Sequence, residues 1–306
     1  QGNRLFSDLC EKIHIPFRRC NSLIVAENET EEDKILNQYK MAIKRGIRNI
    51  KLLNEEEIRK LELKLKFNPK VGLYSSNTGI ICPYDLAIAY GEIAFDNGVK
   101  FKLEEEVIDI EKINKAFRVT TNKNKFTCKV VINTIPGDYY SVDKFVKSYS
   151  KKSYNSYFVI DKSINMDFKQ ALFILKQDEN KIFAVKSIQG NTIIILNTRV
   201  QIAYHNAIKI VEGMLPFVNR SMVSDFYQEE SYEDDIVINE NLVDNGYIKV
   251  IADHYAQVTI TPAISKMICG TVTRELSSIL KKDFIDKRRE IYRFNDLDNI
   301  QRNNLI

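Results

Sequence analysis

The sequence predicts an α/β fold of the mixed, α+β kind, in which an α/β domain is interrupted by a mainly antiparallel one and completed by a late strand and helix. Three observations carry that reading. Residues 1–147 alternate helical and strand periodicities. Residues 148–239 change texture to short strands, "NSYFVID", "ALFILKQ", "KIFAVKSI" and "TIIILNT", separated by turn signals such as Gln189-Gly190-Asn191. The strand-like "YIKVIA" is then followed by a long amphipathic segment, "TPAISKMICGTVTRELSSIL". The expected units are therefore 1–147 together with 240–282, an antiparallel unit at 148–239, and a C-terminal arm at 283–306.

Each element has a local reason. In "NRLFSDLCEKI" Leu5, Phe6, Leu9 and Ile13 share one helical face, and "NSLIVA" follows as a strand. In "TEEDKILNQYKMAIKRG" Ile35, Leu36, Tyr39, Ala42 and Ile43 keep the helical period, Thr30 with Asp33 resembles a capping box, and Gly46 can close the helix. "NEEEIRKLEL" carries its acids at the helix start, where the dipole favours them. Pro83 suits a first helical turn, Leu86, Ala89, Tyr90 and Ile93 form a buried stripe, Gly98 ends that helix, and Val99, Phe101 and Leu103 alternate as a strand. "EVIDIEKINKAFRVTTNKNKFTCKVVINT" reads as three strands with a turn at Asn122 to Lys125; its last run, "KVVINT", is apolar on both faces, as a central parallel strand is. "HNAIKIVEGMLPFV" is a helix with Ile208, Val211 and Leu215 on one side and Pro216 ending it. The last helix is expected to bury Ile264, Met267, Ile268, Thr271, Val272, Leu276 and Ile279.

Composition excludes several function classes. With 306 residues and 44% hydrophobic content the chain can bury one large core or two modest ones. Its longest aliphatic run, "TIIIL" at Thr192 to Leu196, is far shorter than the roughly 20 residues a membrane span needs. With no signal-peptide pattern at the N-terminus, the sequence reads as cytosolic. The net charge of +4 comes from 45 basic and 41 acidic residues that are interspersed, which argues against a nucleic-acid surface. The basic cluster "KKDFIDKRRE" at Lys281 to Glu290 reads as a solvated helix or tail rather than an anion site. Cys10, Cys20, Cys82, Cys128 and Cys269 are widely spaced without a C-x-x-C pair, and His14, His205 and His254 form no metal-binding spacing, so neither a zinc site nor a disulfide framework is expected. No serine sits in G-x-S-x-G.

Four segments, in order, carry a family resemblance: "GNRLFSDLCEKIHIPFRRCNSLIVA", "GLYSSNTGIICPYDLAIAYGEIAFDNGVKF", "CKVVINT" and "IKVIADHYAQVTITPAISKMI". Together they resemble the FAD-dependent oxidoreductases of the D-amino-acid oxidase superfamily, in particular the glycerol-3-phosphate dehydrogenase and L-2-hydroxyglutarate oxidase branch. The tail "RREIYRFNDLDNIQRNNLI" is also similar to that branch. The resemblance implies a Rossmann-like FAD domain interrupted by an antiparallel substrate domain. It also implies hydride transfer from a small anionic hydroxy acid or polyol phosphate to FAD.

The chain departs from the family pattern at cofactor positions. It contains no G-x-G-x-x-G, the motif whose glycines bring backbone to the pyrophosphate, and it starts at a point corresponding to the region after that unit. A natural loss, a split gene and a fragment boundary are all open, and a homodimer or a complementing N-terminal segment is the expected partner. An exposed hydrophobic edge or face is the expected consequence. Where the family resembles N-A-A-G, this chain has "NTIPGDYY", with Ile135 and Pro136 intruding; where it resembles S-P-G-L-T, the glycine position is Gln257. Where relatives tend to have an arginine for an anionic substrate, this chain reads "SDFYQEES".

By resemblance, Val107, Thr134, Gly137, Gln257, Thr259, Thr261 and Ala263 fall at cofactor-binding positions, and Thr78, Cys82 and Gln228 at substrate positions. Val107 is equally readable as an ordinary strand residue. Thr261 is either an amide-bearing anion site at a helix start or simply the N-cap, with Pro262 first in the helix. His254 either moves a proton near the flavin or makes a structural hydrogen bond in a strand-to-helix turn, the latter being favoured. Cys82 and Cys269 are redox-active or, by preference, small buried hydrophobes. Two functions remain in view: a flavin-dependent oxidoreductase, and a non-catalytic relative retained as a subunit or interaction module.

Overall fold

The computed structural model describes residues 2–61, 65–135, 140–143, 152–164, 166, 170–176, 180–232, 237–238, 246–251, 257–279, 281–290 and 297–303. The chain opens with α1 (Gly2–Lys12), which turns Phe6 and Cys10 inward; burial pushes the Cys10 thiol up to about 11, the state of an inert core cysteine. β1 (Phe17–Ala26) follows, then α2 (Glu29–Lys44). The cap of α2 is Asn28, whose side chain accepts from the Glu31 amide at 3.1 Å, so the helix begins before the Thr30–Asp33 pair that the sequence points to. Asn is the better cap because its short amide reaches the free amide without leaving the extended conformation. Gly46 takes φ 71° just past the helix, as expected. β2 (Ile50–Asn54) leads into α3 (Glu55–Lys60), which starts with a capping box between Asn54 and Glu57. β3 (Val71–Ile81) and α4 (Pro83–Asp96) complete this part, with Leu86 and Ala89 of α4 packed against Phe6, Cys10 and Ile13.

Beyond α4 the expected strand at Val99, Phe101 and Leu103 is not formed. All three side chains are exposed, Leu103 at 81%. A strand needs a neighbour for its amides, and among the described residues none lies beside this segment. β4 (Val107–Ile113), β5 (Ala116–Thr121) and β6 (Lys125–Cys128) form an antiparallel three-stranded sheet. The expected turn at Asn122 to Lys125 is closed by Thr121 Oγ1, which accepts from the Asn124 amide at 2.8 Å. β6 is a strand that the three-strand reading did not separate, and the run "KVVINT" read as the last strand forms β7 (Val131–Asn133), which joins a different sheet.

Residues 17–81 and 152–232 share one mixed sheet of eight strands. β8 (Lys152–Ile160), β9 (Ala171–Leu175), β10 (Lys181–Lys186) and β11 (Thr192–Thr198) precede α5 (Tyr204–Met214), and β12 (Val223–Tyr232) follows it. The order is β12-β8-β11-β10-β9-β1-β3-β2, with β1 and β9 parallel and the remaining pairs antiparallel. One face carries Leu23, Val25, Phe158, Leu172, Ile182 and Ile194 against Ala207, Ile208 and Val211 of α5, which makes the main core. The other face is covered at its β1–β3 end by α2 through Ile35, Ala26 and Leu73.

The chain ends around a smaller sheet. β13 (Val237–Ile238) pairs antiparallel with β14 (Tyr247–Ile251), and β14 pairs parallel with β7. α6 (Gln257–Glu275) follows, and α7 (Asn299–Asn303) lies near the C-terminus. α6 starts four residues before Thr261, whose hydroxyl donates back to the Gln257 carbonyl at 2.8 Å, so Thr261 is not the N-cap and Pro262 lies inside the helix. As the sixth helical residue the proline removes the bond its amide would make to the Val258 carbonyl, and its ring crowds that carbonyl, so it is an internal cost of α6 rather than a start signal. A second difference is larger: α6 has no buried residue, and Met267 is exposed, as are Leu276 and Ile279 beyond its end. Its apolar stripe has the right spacing, but among the described residues only α1 packs closely on it, Gly2 meeting the Thr259 carbonyl. No helix of the described residues is long and apolar enough to cross a membrane.

Gly246 sets the approach of β14 to β7. Its φ is +79°, a Cβ there would lie 2.6 Å from the Lys129 carbonyl, and its own carbonyl accepts from the Val131 amide at 2.8 Å. Gly246→Ala is expected to cost about 1–3 kcal/mol through strain alone, measured by urea denaturation; an unchanged midpoint would contradict this geometry.

Candidate functional site

Side chains alternate across the β7–β14 pair, so its two faces have opposite characters. One face holds Asn133, Tyr247 and Lys249, all buried. The other holds Ile132 and Val250 and forms the floor of a groove of about 690 Å³. Leu86, Ala87 and Tyr90 of α4 make one wall, and Val258, Ile264, Ile268 and Val272 of α6 make the other. Ile132 is 46% exposed, so the floor of this groove is open to solvent. Pro83, Thr134, Gln257 and Thr261 also line it, at the starts of α4 and α6 and just past the end of β7. The groove therefore opens at the carboxyl end of a parallel strand, where α/β sheets place their ligands. β7 is an edge strand among the described residues, with β14 its one partner.

The structure brings three of the sequence-derived cofactor residues to this groove: Thr134, Gln257 and Thr261. Gln257 is exposed and leaves the groove open. Ala263 is half-buried on α6 and Thr259 is exposed in its first turn. The amides from Gln257 to Ile260 have no acceptor inside the helix, and the positive end of its dipole lies with them. Cys82 is half-buried and is the N-cap residue of α4, beside Pro83. Cys269 is exposed and lines the groove, so the buried role expected for it is corrected. Val107 lies on β4 and packs with the Ile110–Phe117 cluster rather than in the groove. Gly137 and His254, with Pro136 and Tyr139, lie outside the described residues.

The remaining two expected residues sit on the eight-stranded sheet. Thr78 donates to Ser22 Oγ at 2.7 Å, beside the irregularity between Cys20 and Ser22. Gln228 donates to Ser156 Oγ and to the Ile202 carbonyl, both at 2.7 Å. Its neighbours Tyr227 and Glu229 point the other way by strand alternation. There Tyr157 and Tyr227 stack with centroids 4.4 Å apart, the Tyr157 hydroxyl contacts Glu229, and Phe173 lies 4.5 Å from Phe183. Burial first, then Glu229 and Tyr84, push the Tyr227 hydroxyl up. The alternation in "NSYFVID" and "SDFYQEES" was the signal for this face; the resemblance alone drew attention to Gln228 instead.

The basic cluster at 281–290 is not a free solvated tail. Arg288 forms a two-pronged pair with Glu92 at 2.6 and 3.0 Å, Arg289 pairs with Asp96, Lys281 donates to the Asn97 carbonyl at 3.0 Å, and Asp286 pairs with Lys12. This strap ties the chain beyond α6 to the far end of α4, joining the two helices that wall the groove.

Residues 1–215 match the family described as DAO, FAD dependent oxidoreductase. The chain belongs to this family. A glycerol 3-phosphate dehydrogenase from Caloramator mitchellensis is 26% identical over 328 aligned positions, which take in 100% of this chain and 68% of that relative. A mitochondrial L-2-hydroxyglutarate dehydrogenase from Nematostella vectensis is 29% identical over 92 residues, covering 30% of this chain and 20% of its own length. Among solved structures, dithionite-reduced L-alpha-glycerophosphate oxidase from Mycoplasma pneumoniae with FAD bound has a TM-score of 0.77 at 19% identity, covering 95% of this chain and 82% of that one. Glycine oxidase from Geobacillus kaustophilus has a TM-score of 0.73 at 15% identity, over 95% of this chain and 82% of the other. These likenesses establish the mixed α/β oxidase fold.

FAD is the cofactor of this family, and the described residues fit part of it. The groove is apolar, helix amides stand at its start, and neither Thr134 nor Gln257 closes it. The 306 residues contain no glycine loop of the G-x-G-x-x-G kind for the pyrophosphate.

Acid is expected to loosen the strap. The hydrogen bond from Arg288 holds the Glu92 carboxyl below the usual range, and that from Lys12 does the same for Asp286. A depressed carboxylate stabilises above its unfolded value and loses that contribution as pH falls through its folded value, so release is expected below about pH 4. Amide exchange over 281–289, compared between pH 6 and pH 3 after correction for intrinsic rates, should show selective loss of protection there; equal protection would contradict the ion-pair account.

Proposed function

We propose that the chain supplies the flavin-ring and substrate sides of a flavin-dependent oxidoreductase of the glycerol-3-phosphate dehydrogenase or 2-hydroxy-acid oxidase type. The observation that carries this reading is the open groove at the carboxyl end of β7, with the α6 amides and Thr134 at its mouth. When bound there, FAD supplies the hydride acceptor for oxidation of a hydroxyl-bearing carbon. The chain's own part is to hold Thr134 and the α6 amides at the mouth of the groove, where the amides can meet acceptor oxygens of a flat ring, and to shield the substrate with the Tyr157–Tyr227 face. Thr78 and Cys82 are the substrate-side residues retained in this reading, and His254 the residue proposed to accept the hydroxyl proton.

The pyrophosphate needs a further element. A strand laid parallel against the edge of β7 that is unpaired among the described residues, followed by an apolar helix resting between α4 and α6, would satisfy the edge amides and cover Ile132, Ile268 and Val272. A complementing N-terminal segment of that kind fits the groove better than a homodimer, because a strand at the edge and a helix in the trough are both called for. One observation favours a non-catalytic reading: Asp225 and Glu229 of β12 lie by strand alternation on the same face as Tyr227, which puts acid where an anionic substrate would be shielded.

Flavin titration tests these readings. Adding FAD to the chain together with a strand–turn–helix segment bearing G-x-G-x-x-G is expected to shift and structure the visible flavin band and quench its fluorescence. Glycerol 3-phosphate or a 2-hydroxy acid should then bleach that band. No spectral change with or without the segment would overturn the flavoenzyme reading, and binding without bleaching by any hydroxy substrate would favour the non-catalytic one.

A further inference from the structure

Behind the groove, the opposite face of β7 and β14 contains an ion pair with almost no solvent. Lys249 Nζ lies 2.9 Å from Asp143 Oδ2, and the two side chains are 2% and 0% exposed. The same oxygen accepts from the Tyr140 amide at 3.1 Å and from the Tyr247 hydroxyl at 3.2 Å. Asn133 Nδ2 donates to that hydroxyl at 2.9 Å, and Asn133 Oδ1 accepts from the Ile135 amide at 3.0 Å. A continuous polar chain thus runs from Lys249 on β14, through Asp143 and Tyr247, to the first turn after β7. At the other end of the same segment, Ser141 donates its amide and its hydroxyl to Asp109, both at 2.7 Å.

Stability alone does not account for this arrangement. Three donors converge on Asp143 Oδ2 while Oδ1 is buried without a hydrogen-bond partner among the described residues, and such a bare acceptor costs about 1–3 kcal/mol. Well-packed apolar residues in place of a buried ion pair are commonly as stable or more so. What the polar chain does provide is one defined geometry for residues 133–135 and 140–143, the two ends of the segment that leaves β7 at the mouth of the groove.

We infer that Asp143, Lys249 and Tyr247 are positioning residues that hold Thr134 and Ile135, just past the end of β7, in the place where they meet the cofactor. The inference rests on the flavoenzyme reading for the identity of the ligand, but not for the positioning itself. Tyr247 is the link: it passes the fixed orientation of Asp143 to Asn133, and Asn133 fixes the Ile135 amide beside Thr134.

Two variants test it. Tyr247→Phe removes only the hydroxyl link, and the double variant Asp143→Leu/Lys249→Met removes the ion pair without leaving a lone charge. Both are to be compared with the wild-type chain by amide exchange over residues 131–135, with the β4–β6 sheet as internal reference. Exchange at Ile135 should rise at least tenfold in each variant while the β5–β6 ladder is unchanged; equal rates in a folded Tyr247→Phe protein would overturn the inference. Where wild type binds FAD, both variants should bind it at least tenfold more weakly with an altered visible circular dichroism band, and undiminished binding despite faster exchange would overturn the link to the cofactor. Failure of wild type to bind FAD under any condition counts against the flavoenzyme reading, while the exchange result still decides the positioning.

Discussion

Three ladder positions, Tyr247 with Val131, Ile248 with Ile132 and Lys249 with Asn133, join β14 to β7 in parallel, and much of the candidate site follows from that short pairing. Parallel strands put both carboxyl ends on one side, so the turn after β7 and the start of α6 share the mouth of a groove. The pairing also leaves one edge of β7 without a partner among the described residues. An unpaired edge and an apolar floor are costly to expose, and their presence beside an apolar helix defines what would cover them: a strand for the amides and a helix for the trough.

The main core stands apart from this constraint. The eight-stranded sheet is covered by α5 on one face and by α2 on part of the other, so it has its own closed interior. The contrast explains why Leu23, Phe158 and Ile194 are fully buried while Ile132, Met267 and Leu103 are exposed, although all six have the same chemistry. The groove belongs to the open sheet, through Ile132 and Val250, while the stacked Tyr157 and Tyr227 belong to the closed one.

Local chemistry was legible in the sequence wherever it depends on near neighbours. Pro83 at the start of α4, the positive φ of Gly46 and Gly98, the Gly190 turn and the apolar stripe of α5 all follow from rules spanning a few residues. The mixed α/β class and the family were legible from the order of such elements. What failed depends on distant partners. Alternation at Val99, Phe101 and Leu103 describes a strand that finds no partner among the described residues, and the α6 stripe describes a buried helix whose cover is likewise absent from them. The parallel joining of β1 to β9 and the strap from Arg288 to Glu92 link positions far apart in sequence, and no local pattern announces either. At the site, Thr134, Gln257 and Thr261 could be found by resemblance, whereas Gln228 could not be assigned to a face without the register of β12 against β8.

If the smaller sheet is an open acceptor, its backbone must be far less protected than that of the closed one. Native-state amide exchange on the chain alone, read side by side for β7 with α6 and for β8 with β11, addresses this directly. Rapid local exchange across Val131–Asn133 and Ile264–Val272, against near-global protection for Phe158 and Ile194, is the expected result; uniform protection of both sheets would contradict the account.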